Sequence, residues 1–74
     1  MTIAELRPYQ DKTVILNLHD GEIATVKIAL VDADHEDIIV DIVHTSRPEQ
    51  YKGPTNSAYT IRAADIASVD GISN

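Results

Sequence analysis

The chain has 74 residues, 43% of them apolar, no cysteine, and a formal net charge of −6. That length allows one domain, residues 1–74, which buries only about 60% of its unfolded surface. The missing cysteines exclude disulfides and thiolate metal centres, and the negative field disfavours non-specific binding to nucleic acid or to anionic membranes. Stability must therefore come from oligomerisation, a carboxylate–histidine metal, or a well-made core. Aromatic residues are only 4%, namely Tyr9, Tyr51 and Tyr59, so that core is aliphatic. There is no apolar run of about 18 residues and no basic-then-apolar N-terminal layout, which points to a cytoplasmic protein with no membrane span.

In chain order, Thr2 and Glu5 have the T-x-x-E spacing of a capping box, and Ile3 and Leu6 share a helical face. Pro8 cannot occupy a helix interior, so a short helix ending near Arg7 is expected. From Lys12 the pattern alternates, with Val14, Leu16 and Leu18 on one side and Thr13, Ile15 and Asn17 on the other. This is a strand with one buried face, closed by the tight-turn signal Asp20-Gly21. A long second strand follows over residues 22–32, with Ala24, Val26, Ile28 and Leu30 inward. Asp32-Ala33-Asp34-His35-Glu36-Asp37 breaks the alternation with turn-forming residues. The third strand, residues 38–45, places Ile38, Val40 and Ile42 on one face and Ile39, Asp41 and Val43 on the other. Residues 46–57 read as a long loop containing Arg47, Tyr51 and Lys52, the one cluster of two basic side chains and an aromatic. A short fourth strand over 58–62, a corner, a very short fifth strand ending near Val69 and a 70–74 tail complete the chain. Strands so closely spaced leave no room for parallel crossovers. The expected fold is mainly β: a five-stranded, strongly bent antiparallel barrel behind a short N-terminal α-helix.

Two stretches resemble the Sm/LSm family, which includes the RNA chaperone Hfq. One runs from Val14 to Val40: an alternating strand ending in Asp20-Gly21, a long strand, an acidic turn and an apolar strand. The other, residues 59–69, is similar to the family's Ile-Arg-Gly ending, here Ile61-Arg62-Ala63 followed by Ile66 and Val69. The resemblance covers nearly the whole chain. It implies an Sm-like, SH3-type barrel assembled into a cyclic homo-oligomer of five to seven subunits. The fourth strand of one copy (Tyr59, Ile61) would pair with the fifth strand of the next (Ile66, Val69). The outward apolar residues Ile15, Ile39 and Val43 would then be covered by a neighbour, or else by the helix or the 46–57 loop of the same chain.

In RNA-binding rings of that family the turn before the third strand and the Ile-Arg-Gly turn form a nucleotide pocket. Aligned on Ile38-Ile39-Val40, the resemblance places His35 at the base-stacking position and Glu36 at the usual Met. It places Asp37 at the uracil-reading Asn, Arg62 at the Arg and Ala63 at the Gly. An ionised Asp offers acceptors only, whereas Asn offers a donor as well, and Ala narrows the backbone choices that Gly leaves open.

Three readings of the acidic turn follow. It is half of a pocket for short single-stranded, uridine-rich RNA, or part of a structural Asp37–Arg62 ion pair, or a metal loop built from Asp32, Asp34, His35 and Glu36. The metal reading is the weakest, because the sixth and twelfth positions of a calcium loop require Gly and Glu and here hold Asp37 and Val43. No Ser, His and Asp spacing suggests a triad, and no Gly loop cradles a phosphate. Neither an enzyme nor a cofactor is expected. The leading expectation is a ring scaffold with weak or lost RNA binding. An RNA-binding ring, and a barrel module within a larger assembly such as a phage particle, are the alternatives.

Overall fold

The computed structural model describes residues 1–50 and 58–72. Helix α1, Ile3–Leu6, starts at a complete capping box: Thr2 accepts from the Glu5 amide, and the Glu5 carboxylate accepts from the Thr2 amide at 2.9 Å. Pro8 lies in the 3-10 turn Arg7–Tyr9 that ends this segment. The helix is short because Pro8 lacks the amide that a further turn needs. Leu6 is fully buried and anchors it to the sheet.

Five strands follow: β1 Thr13–Leu18, β2 Ile23–Asp32, β3 Asp37–Thr45, β4 Ala58–Arg62 and β5 Ile66–Ile72. They form one antiparallel sheet in the order β4-β3-β2-β1-β5. The β1–β2 hairpin turns at Asp20-Gly21, where Gly21 takes φ +94° and its amide donates to the Leu18 carbonyl at 3.1 Å. Only glycine reaches that region without strain, which is why the Asp-Gly signal was readable.

The alternation largely places the core. Val14 and Leu16 of β1, Ala24, Val26 and Ile28 of β2, and Ile38 and Val40 of β3 are all fully buried. Leu30 departs from its expected inward position and is 44% exposed. The β2–β3 register slips between Ile28 and Leu30, so that Ile28 faces Val40 and Leu30 faces Ile39. The extra residue of such a bulge reverses which face each later side chain takes. Val31 therefore packs on the core in place of Leu30. A second slip, between Thr25 and Val26, leaves Val43 out of the pairing, 64% exposed, and turns Thr45 inward. Ile15 and Ile39 are half-buried within the single chain.

Strand β5 is longer than the sequence suggests and absorbs Asp70–Ile72, residues expected in a tail. Two register shifts against β1 allow this, one around Asp70 and one around Ala67. The sheet does not close on itself. Among the described residues β4 pairs with β3 and β5 with β1, and the expected barrel closure is not made. The 3-10 corner Ala63–Asp65 carries the chain from β4 across to β1. Among the described residues no helix is long and apolar enough to cross a membrane.

Candidate functional site

The acidic turn is organised by a single carboxylate. Asp32 Oδ1 accepts from the amides of Asp34 (3.1 Å) and His35 (3.3 Å), and Oδ2 lies 2.8 Å from His35 Nδ1. An Asp holding the amides that follow it is a common turn device. Glu36 then takes φ +54°, a left-handed conformation that costs a non-glycine residue energy. Its carbonyl accepts from the Ala63 amide at 3.0 Å. That bond joins the turn to the corner after β4.

The two sequence stretches therefore meet. His35, Glu36, Arg62 and Ala63 line one cleft of about 470 Å³, with Met1, Thr2, Ile3 and Ala64 completing it. The Met1 nitrogen donates to the carbonyls of Ala63 (3.0 Å) and Ile66 (2.5 Å) beside it. Asp37 is register partner to Arg62 across β3–β4, and so shares its face of the sheet. The expected Asp37–Arg62 ion pair is nevertheless not made. The Arg62 guanidinium lies 3.6 Å from Asp65 Oδ2, with the arginine side chain 75% exposed. The 3-10 corner brings Asp65 within reach three residues on, and the long arginine stem turns toward it. Ala63 fits without glycine's freedom because it occupies the 3-10 turn, outside the positive-φ region, with its methyl buried.

Asp32 and His35 favour one another's charged forms. The hydrogen bond to Asp32 is the main reason that His35 titrates above its ordinary value. The negative charges of Asp32 and Asp37 act in the same direction, and slight desolvation opposes them. The same bond from His35 holds the Asp32 carboxyl below the usual carboxylate range. Among the described residues no three His, Asp or Glu side chains are arranged to hold a metal ion. Asp32 is committed to its own turn, and Asp34 and Glu36 are exposed.

Of the residues expected to pair strands between copies, Ile61 and Ile66 are buried in the chain's own core, and Tyr59 and Val69 pack against it. Between them along the strands, Thr60 of β4 and Ala67 of β5 are exposed. Arg47 is fixed at the hairpin, where its guanidinium lies 3.1 Å from the Asp20 carboxylate and donates to the Asp20 carbonyl at 2.8 Å. Its companions Tyr51 and Lys52 lie outside the described residues.

A second cavity of about 510 Å³, lined by His19, Asp20, Glu22, Tyr59, Thr60 and Asp65 among others, was missed by sequence reasoning. Glu22 is only 2% exposed there and accepts from the Thr45 hydroxyl. The signal was available, because Glu22 continues the inward series of Ala24, Val26 and Ile28 one step toward the turn. Comparison with family models, with curated proteins and with solved structures finds no match to this chain.

Proposed function

We propose that this protein is an Sm-like ring scaffold of five to seven identical subunits, in which β4 of one copy continues into β5 of the next. The observation that carries this reading is that β4 and β5 are the two opposite edges of an open sheet. An unpaired edge is a template for another strand, and natural sheets seldom leave one uncovered. The two edges differ in sequence, so their pairing is head-to-tail, and such pairing closes into a ring when the rotation per subunit divides a full turn. Within the ring the bent sheet completes a barrel-like core at each junction. The exposed Val43 and the half-buried Ile15 and Ile39 lie on apolar surface that a neighbour would cover.

In this reading RNA binding is weak or lost. Asp37 supplies acceptors only, Arg62 is already engaged by Asp65, and the subunit carries −6. One observation favours the alternative of a uridine-rich RNA pocket: the Glu36–Ala63 bond that unites the two stretches in one cleft. Hydrogen exchange tests the ring. Edge amides of β4 and β5 are expected to be protected in concentrated protein and to lose protection on dilution. Protection that ignores concentration sinks the proposal. An oligouridine titration at low salt separates the two readings. Binding abolished by His35→Ala and by Arg62→Ala, with assembly unchanged, selects the RNA pocket; no binding by the wild type leaves the scaffold.

A further inference from the structure

The turn between β2 and β3 contains more internal bonding than a connection of four residues requires. One carboxylate, Asp32, takes two backbone amides on one oxygen and the His35 imidazole on the other. The next residue along, Glu36, is in a left-handed conformation and carries the only backbone bond described between this turn and the Ala63 corner. A strained residue persists when its surroundings over-determine it, and here those surroundings are the Asp32-held amides on one side and the Ala63 amide on the other.

We infer that the 33–36 turn is a proton-dependent wall of the cleft: with His35 charged, Asp32 locks the turn and holds the Glu36 carbonyl on Ala63, and with His35 neutral that hold loosens. Asp32 is an ionised acceptor whether or not His35 is protonated, and the imidazolium adds the attraction of opposite charges to that bond. A neutral imidazole donates from Nδ1 in only one of its two tautomers. The surrounding charges favour the charged form on balance. Asp32 is bonded to the ring, Asp34 and Glu36 flank it on the same turn, and Asp37 at the start of β3 adds a negative charge. Opposing them across the cleft is Arg62 of β4, whose own charge is met by Asp65. From the N-terminal side the Met1 nitrogen is engaged by the Ala63 and Ile66 carbonyls.

The sign follows from the direction of the His35 shift. Its midpoint in the folded chain lies above 6.5, chiefly through the bond to Asp32. The stabilising contribution is then complete below about 6.5 and is lost as pH rises through the higher folded midpoint. All the groups belong to one chain, so the inference does not depend on ring formation.

An NMR titration of the intact protein tests it, following the His35 ring and the Ala63 amide together. The expected result is a His35 midpoint above 6.5, with Ala63 exchange, corrected for its intrinsic pH dependence, slower by about two- to fivefold on the acid side, the range open to an exposed ion pair. Asp32→Asn keeps an acceptor for the turn amides but removes the charge. It should lower the His35 midpoint and flatten the Ala63 response. His35→Gln should flatten that response as well. A wild-type midpoint at or below 6.5, or corrected Ala63 exchange that does not follow His35, overturns the inference. These side chains sit in or beside an exposed turn, and the wild-type titration alone decides the matter if a variant misfolds.

Discussion

At the residue scale, one position demands its residue outright. Gly21 has φ +94°, and a Cβ there would meet the Arg47 Nη2 at an ordinary 3.5 Å, so the cost of substitution is backbone strain and not crowding. Gly21→Ala should lose about 1–2 kcal/mol in chemical denaturation. Arg62→Ala gives the opposite expectation. Its exposed contact to Asp65 predicts a change under about 0.5 kcal/mol, and a large loss would reveal a partner for Arg62 other than Asp65. The capping box carries a pH signature. The Thr2 amide holds the Glu5 carboxyl below its ordinary 4.5, so that contribution is complete above about 4.5 and fades as pH falls through the depressed midpoint. Thermal melts of Glu5→Gln should therefore flatten acid sensitivity below that value relative to wild type. Gly21 and the Thr2–Glu5 box were legible because each is a local motif whose geometry is set within four residues. The partner of Arg62 was not, because the choice between Asp37 and Asp65 depends on a corner that the sequence marks only as a turn.

At the element scale, period-two alternation located the first three strands and most of their core residues, since one buried face is enough to fix which residues point inward. It failed where the register slips. Nothing in residues 28–31 announces the bulge that turns Leu30 outward and Val31 inward, because both are apolar and either satisfies the pattern. Asp70-Gly71 likewise reads as an ending, yet it lies in β5 because a bulge lets the strand continue along β1. The corrected assignment gives contrasting predictions. Ile28→Ala, at a fully buried site, should cost about 2–5 kcal/mol in urea unfolding. Leu30→Ala should cost far less in the isolated chain, because its side chain is 44% exposed. Equal losses at the two positions would contradict the bulge.

At the scale of the whole molecule, the account rests on two unlike sheet edges and an acidic surface. Subunits of charge −6 repel one another, so added salt should favour assembly by screening. RNA binding through phosphates would respond in the opposite direction and weaken with salt. The edges were partly legible in the sequence, in the short terminal strands and the resemblance that pairs them between copies. The subunit number of the proposed ring was not, because it depends on the angle between neighbours and no single-chain pattern encodes that angle. The most direct measurement is the solution mass, by native mass spectrometry or light scattering on a sizing column. The account predicts one closed species at five to seven times the 8.1 kDa subunit mass. A monomer that persists at high concentration and high salt would contradict it, and would leave β4 and β5 as the bare edges of a free-standing sheet.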